Sequence, residues 1–317
     1  SDHRIEELRR LGAAALPGQT IPILDPQRKL IEDVVICEDG HSSERVMLDQ
    51  VLLRVKAGQC WIGDRNYCTL KFLFGINRRD AFFVIRQHAQ LHGELTGDRR
   101  KIGRCNTGMV YEQKLLIRGD GDDVMTVRRI TIKRDKPTKD GETEIHILTN
   151  LPASVRAVKV AESYRQRWTI ETAFQDITTN LRCEINTLGY PDAALLGFCV
   201  ALLIYNVLSV VQAALRDSQT ETRKIERNIS MYAIADEISS CWCGMEIAVS
   251  KDVWTEIYAD LTAKQLVSKL RSLARKADLP RYTTHKWSPK KPQPKRVSGK
   301  RGKHVSTQRI LNERKQT

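Results

Sequence analysis

Residues 193 to 215 read AALLGFCVALLIYNVLSVVQAAL, 23 residues without a charge. Such a run can cross a bilayer as a helix or fill the core of a water-soluble protein. Asn206, Ser209 and Gln212 recur at three-residue intervals, and Tyr205 lies in mid-run. No second span and no asymmetry of basic flanks accompanies it. The pattern predicts a helix buried in a soluble core, with no membrane partner. A chain of 317 residues can surround such a helix and has room for two packed units.

The rest of the chain alternates between the two regular periods. Ser1 to Leu11 reads as a helix, and TIPILDP and LIEDVVICED read as adjacent strands around PQRK. SSERVMLDQVLLRVKAG predicts a helix with Ser42 or Ser43 as N-cap and Gly58 as its stop. QCWIGD reads as a short buried strand, LKFLFGI as a brief helix and AFFVIRQ as another strand. GMVYEQKLLI, VMTVRRITIK and TEIHILT are strand-like and are joined by the turn clusters GDGDD and DKPTKDGE. GDGDD lacks the downstream glutamate of an EF-hand, so it predicts a hairpin turn and no calcium site. From Ser154 to about Asp278 the chain reads as helical. The fold class is α/β.

The formal charge of +14 is uneven. From Arg281 to Thr317 there are 12 basic residues and one acidic residue, Glu313. HKWSPKKPQPKRVSGKRGKH is nearly empty of aliphatic residues and predicts a disordered segment whose partner is a polyanion. Lys290, Lys291, Lys295, Arg296, Lys300 and Arg301 are its candidate DNA contacts, each phosphate contact making binding more salt-dependent. The eight cysteines are scattered and several lie inside apolar runs, which fits a reducing cytoplasm rather than a disulfide framework. CWC at Cys241 and Cys243 lacks a matching Cys or His pair and predicts no metal site.

Two stretches carry chemistry. YRQRWTIETAFQDITTNLR, residues 164 to 182, places Tyr164, Arg167 and Glu171 along one edge of an expected helix. Trp168, Ile170, Phe174, Ile177 and Leu181 form the neighbouring apolar stripe. That edge is either an ordinary Arg167–Glu171 pair or a carboxylate held beside phosphate-binding groups. Asp64 ends QCWIGD, where buried α/β strands present residues to a crevice. Its desolvation requires a cation, and Arg65 is the nearest in sequence.

YRQRWTIE matches the Y-x2-R-x3-E part of the Y-x2-R-x3-E-x6-K motif of bacterial transposases of the insertion-sequence-four type. WIGDRNYCTLKFL resembles the segment around that family's second catalytic aspartate, and FFVIRQH resembles the strand that follows. The similarity runs from about Ser1 to Arg216 and keeps the motif order. It implies a ribonuclease H-like core with an inserted β-rich domain before the glutamate helix, and a helical C-terminal part. The expected divisions are 1–86 and 154–216 for the core, 87–153 for the insert, 217–280 for the helical region and 281–317 for the basic tail. The resemblance implies a DDE transposase that cuts and joins double-stranded DNA at transposon ends. It would use Mg2+ (or Mn2+) held by Asp64 and Glu171, and act as a homodimer in the bacterial cytoplasm. Tyr164 and Arg167 would meet phosphates, with Trp168 and Arg65 beside them.

Two positions depart from the family. The motif lysine falls at Thr178, which removes one phosphate-contacting charge. The first catalytic aspartate belongs on a strand before a helix resembling SDHRIEELR, which here begins at residue 1. Asp25 and Asp2 are poor substitutes: the ribonuclease H-like order has three strands before the helix and only two precede it here, so Asp25 is expected on the second, and Asp2 has no strand before it. The expectation is therefore a truncated transposase. Its alternative is an inactive remnant that still binds DNA.

Overall fold

The structure, a computed structural model, describes residues 18–283 apart from 41, 139–140, 182, 184–189 and 223–227. The helix expected at Ser1–Leu11, Asp2, and the tail contacts from Lys290 to Arg301 lie outside the described residues. The chain divides into two compact units, Gly18–Gln27 with Glu32–Glu171, and Arg28–Ile31 with the described residues from Thr172 onward.

Period-two alternation builds the first unit. Strands β1 (Gln19–Asp25) and β2 (Leu30–Cys37) form a two-stranded sheet. A 3-10 turn at Glu44–Met47, capped by the Ser43 hydroxyl, leads into α1 (Leu48–Leu52). Strand β3 (Cys60–Gly63), helix α2 (Leu70–Asn77) and strand β4 (Phe82–Arg86) follow, then β5 (Glu94–Cys105), β6 (Gly108–Arg118), β7 (Val124–Arg134), β8 (Glu144–Thr149) and helix α3 (Ala157–Arg165). The six strands from β3 make one mixed sheet in the order β3-β4-β8-β7-β6-β5. β3 runs parallel to β4, and every other pairing is antiparallel. β8 pairs with both β4 and β7, so the β-rich segment and the strand beside Asp64 share one hydrogen-bonded sheet.

Strand β5 is absent from the sequence expectation. ELTGDRRKIGRC has few β-branched residues, two glycines and a run of charges, which masks a strand that is paired on one side only. Register shifts fall between Thr96 and Arg100 and between Lys101 and Gly103, and Gly97 takes a left-handed φ of 71°. GDGDD forms the expected turn: Gly119 N–H donates to the Asp123 carbonyl at 2.8 Å and Gly121 takes φ 66°.

Both faces of this sheet carry a core. On one face Val51, Leu52, Phe72, Leu73 and Ile76 of α1 and α2 pack with Phe83, Ile85, Leu115, Val127 and Leu148. On the other, Ala157, Val160, Ala161 and Tyr164 of α3 pack with Val84, Ile130, Ile132, Ile145 and Ile147. Strand β7 serves both: Met125 and Val127 point to the first core, and Ile130 and Ile132 to the second. Each such side chain contributes roughly 1.5–3 kcal/mol of transfer free energy. α1 and α2 meet closely at Gly75, where a Cβ would lie 2.6 Å from Leu52 Cδ1.

Arg128 ties this sheet to the start of α3. Its Nε donates to Glu112 Oε1 at 2.7 Å, and its Nη1 reaches the carbonyls of Leu151 (3.2 Å), Pro152 (2.8 Å) and Val155 (2.8 Å). The side chains of Arg128 and Glu112 are only 12% and 15% exposed. The guanidinium thus neutralises a secluded carboxylate and closes a turn that has no other strand partner.

The second unit is helical: α4 (Trp168–Gln175) enters it, followed by a π-helical turn (Asp176–Asn180), α5 (Pro191–Thr222), α6 (Met231–Ala248), α7 (Lys251–Tyr258), α8 (Ala263–Lys276) and α9 (Leu279–Tyr282). Helix α5 corrects the expectation of a buried run. Only 33% of its apolar window is buried. Leu196, Val200, Leu203, Val207 and Val210 are exposed, whereas the polar row faces inward. Asn206 exchanges two hydrogen bonds of 2.8 Å with the Ile31 backbone, and Gln212 donates to the Ile229 carbonyl at 2.8 Å. The partly buried Asn206 and the buried Gln212, each with a backbone partner, select that face, and Leu202, Tyr205 and Leu208 fill in around them. The basic segment also begins later than expected. Arg281 pairs with Glu237 at 3.0 Å and Ser230 N–H donates to the Tyr282 carbonyl at 2.7 Å, so 281–283 have tertiary contacts.

Two predictions follow from the first unit. Arg128→Met keeps the stem's volume but strands Glu112, and is expected to cost about 3–5 kcal/mol in denaturant unfolding, with Arg128→Met/Glu112→Leu recovering much of it. His146, bonded to Thr131 Oγ1 at 3.0 Å, has its pKa pushed down to about 4 by burial and then by Arg129. The unfolded ring gains its proton near 6.5 and the folded ring only near 4, so stability falls as pH drops through that window. Unfolding of His146→Gln should show a flatter dependence between pH 6.5 and 4, and an unaltered slope there would remove His146 as its source.

Candidate functional site

Parallel strands β3 and β4 end together. Gly63 lies opposite Ile85, so the next rung sets Asp64 beside Arg86. Asp64 leaves the strand at φ −84°, ψ −171° and caps the 3-10 turn Arg65–Tyr67, its Oδ1 accepting from Asn66 N–H at 2.8 Å. That hydrogen bond fixes one carboxylate oxygen. The neighbouring cations are engaged elsewhere: Arg86 pairs with Glu142, and Arg65 Nη1 lies 4.0 Å from the same carboxylate. Arg65 is therefore turned toward Glu142, with its side chain 52% exposed.

The second component comes from the end of α3. The expected single helix over 164–182 is three pieces: the last turn of α3, α4 and the π-helical turn. Between α3 and α4 the chain tightens to i→i−3 bonds, with Arg167 N–H donating to the Tyr164 carbonyl and Thr169 N–H to the Gln166 carbonyl. Helical spacing in the sequence survives such a slip, so the break is invisible to periodicity. Trp168 also leaves the expected apolar stripe and is 58% exposed, while Ala173 and Ile177 are buried.

Tyr164 is anchored in the core under α3, at 7% exposure. Burial raises its phenol pKa, which Arg167 and Arg86 oppose and Asp64 reinforces, so it remains a neutral donor and acceptor at neutral pH. Arg167 Nη1 donates to Glu171 Oε1 at 2.6 Å, and its side chain also bonds Tyr164. The guanidinium carbon lies 4.9 Å from the Trp168 ring centroid and 5.9 Å from that of Tyr164. Burial works against its charge, but Tyr164 and Glu171 outweigh it. Arg167 Nε is buried with no hydrogen-bond partner. A buried N–H without an acceptor costs free energy, so this side of the guanidinium gains more than a solvated one would from an acceptor such as a phosphate oxygen.

Asp64, Tyr164 and Arg167 thus form one electrostatic neighbourhood, and Glu171 is joined to it through Arg167. Arg86 and Glu142 belong to it as well and were missed in the sequence, although Arg86 ends FFVI as Asp64 ends CWIG. Thr178 bonds back to the Phe174 carbonyl at 2.9 Å and offers no charge. Asp25 Oδ1 accepts from Gln27 N–H at 2.8 Å in the β1–β2 turn. Asp64 and Glu171 supply the hard oxygen donors that suit a divalent cation. Among the described residues, no group of three or more His, Cys, Asp or Glu side chains is arranged to hold a metal.

A six-stranded mixed sheet with helices, carrying a strand-end carboxylate and a helix-borne glutamate paired with Arg167, makes this a mixed α/β protein. More specifically, it belongs to the transposase DDE domain family, whose model matches residues 22–207. That span includes Asp64, Tyr164, Arg167 and Glu171. The chain is also 30% identical over 163 residues to a Sinorhizobium fredii (strain NBRC 101917 / NGR234) protein named "Putative transposase y4zB". The match covers 50% of this chain and 44% of that relative, so the chain spans less than half of that protein's length.

The Arg167–Glu171 pair is a spacing-four contact with Glu171 44% exposed, which limits its stabilising effect to a few tenths of a kcal/mol. Glu171→Gln should change unfolding stability by less than about 0.5 kcal/mol. A loss several times larger in a denaturant titration would show that Glu171 holds the fold.

Proposed function

We propose that this chain acts on double-stranded DNA as a DDE transposase, seating a backbone phosphate on Arg167 and Tyr164 next to Asp64 and Glu171. The observation that carries this reading is the buried, unpartnered Nε of Arg167, on a guanidinium already fixed by Tyr164 and Glu171. Arg167 would bind and orient the phosphate, and Tyr164 would hold Arg167 in place from the core. Asp64 and Glu171 would hold Mg2+ or Mn2+, which supplies charge stabilisation for the attacking and leaving oxygens when bound. The β3–β4 pair with α3 corresponds in this reading to part of a ribonuclease H-like core, and β5–β8 to the β-rich insert. The family resemblance further suggests a homodimer on paired ends, working in the cytoplasm, with Mg2+ the physiological ion.

A second reading is DNA binding without cleavage. It needs only the cationic groups around Arg167 and no metal at Asp64 and Glu171. Cleavage of transposon-end DNA in Mg2+ or Mn2+ separates the two. The transposase reading expects strand cleavage that falls at least ~100-fold in Asp64→Asn, as when an electrostatic contact to the transition state is removed. Arg167→Gln should weaken both binding and cleavage. Duplex binding with no cleavage at any ion concentration, in a chain extended to include the segment before Ser1, would establish the second reading instead.

A further inference from the structure

We propose that the open face of β5–β8 is a second DNA-backbone surface, on which Arg99, Lys101, Arg129 and Lys133 hold phosphates around Tyr111. This rests on the reading that the chain acts on DNA, and it adds a surface distinct from the Asp64–Arg167 neighbourhood.

The pairing registers assemble the surface. Lys101 lies opposite Tyr111, Tyr111 opposite Thr131, and Thr131 opposite His146, which makes one row across four strands. Flanking rows place Gln113 opposite Arg129, and Met109 opposite Lys133, which in turn faces Glu144. Directly opposed residues share a sheet face. This is the face on which Leu115, Val127 and Leu148 pack nearer the core, whereas α3 lies on the other. Beyond those residues the face is open: Lys101, Arg99 and Lys133 are exposed, and Tyr111, Arg129 and His146 are half-buried.

Charge on this face is uncompensated. Glu144 is occupied by Arg99, whose Nη2 lies 2.8 Å from Oε1 and whose guanidinium sits 4.3 Å over the Tyr111 ring. Arg129 Nε donates to the neutral Gln87 amide oxygen at 2.8 Å, with Glu144, already paired to Arg99, as a coulombic neighbour. Among the described residues, Lys101 and Lys133 form no ion pair, although Lys133 lies near enough to Glu144 to lower its pKa. Four cations therefore face one carboxylate. Burial and then Arg99 work against the charge of Arg129, and burial and then Arg129 keep the His146 ring neutral. Burial disfavours charge of either sign, but the Arg129 and Arg99 contributions to these shifts are those of a positive potential, which the spacing of four cations along the registers matches to a row of phosphates. The half-buried Tyr111 adds a neutral hydroxyl that can meet sugar and phosphate oxygens.

The test uses the full chain and a random-sequence DNA duplex. Lys101→Gln/Lys133→Gln alters two exposed side chains outside both cores. It should weaken binding equally for all duplex sequences and reduce the slope of log affinity against log salt by about 2, close to one unit per lost phosphate contact. Duplex should also raise the His146 pKa from about 4 in the parent chain and raise it less in the double variant. An unchanged slope with intact duplex binding overturns this surface and leaves the Arg167 site standing. A chain that binds no duplex overturns the DNA reading itself. If polyglutamate shifts His146 while duplex does not, the face takes acidic peptides and the proposal is wrong.

Discussion

The first unit is organised around the Arg128 guanidinium. A sheet with a core on each face needs its cover on the second face to start in a defined place, and the chain between β8 and α3 has no strand of its own to guide it. Arg128 solves this by gathering the Leu151, Pro152 and Val155 carbonyls while its Nε holds Glu112 across the β6–β7 ladder. The first turn of α3 is thereby set against β7, and Val160, Ala161 and Tyr164 fall onto Ile130, Ile132 and Ile147. Arg167 follows Tyr164 by three residues. The placement of Arg167 is therefore a downstream effect of an ion pair buried on another strand.

Much of this was readable from the residues, for stated reasons. Strands with a consistent alternation (β6, β7, β8) and short apolar runs before a charged residue (β3, β4) announce themselves. So does the Arg167–Glu171 spacing, which the structure realises as an ion pair of 2.6 Å. What escaped notice depends on partners rather than pattern. Strand β5 is made by pairing with β6, against its own composition. The break after α3 preserves helical spacing and so leaves no periodic trace. In α5 the hydrophobic count predicted burial, yet the inward face was decided by Asn206 and Gln212, because a buried amide is tolerated where a backbone partner waits for it. The link between Asp64 and Arg86 required the β3–β4 register, which no single strand contains.

Arginines in the first unit divide by what surrounds them. Arg54, Arg78, Arg86, Arg104 and Arg128 each meet an aspartate or glutamate and are structural in effect. Arg129 lacks such an ion pair among the described residues, and Arg167, though paired with Glu171, is only partly satisfied. Arg167 retains a buried N–H with no acceptor, and Arg129 leans on a neutral amide among like charges. Stability alone would favour pairing these groups, so their incomplete satisfaction marks where an external acceptor gains most.

The irregularities of β5 have a further consequence. A straight, uncharged strand at that position would offer its free N–H and C=O groups to the same strand of another molecule, and sheets could then grow end to end. Two register shifts, the left-handed Gly97 and the Asp98–Lys101 charges break the spacing that such growth requires. The sheet margin is thereby protected from joining copies of the chain into fibres.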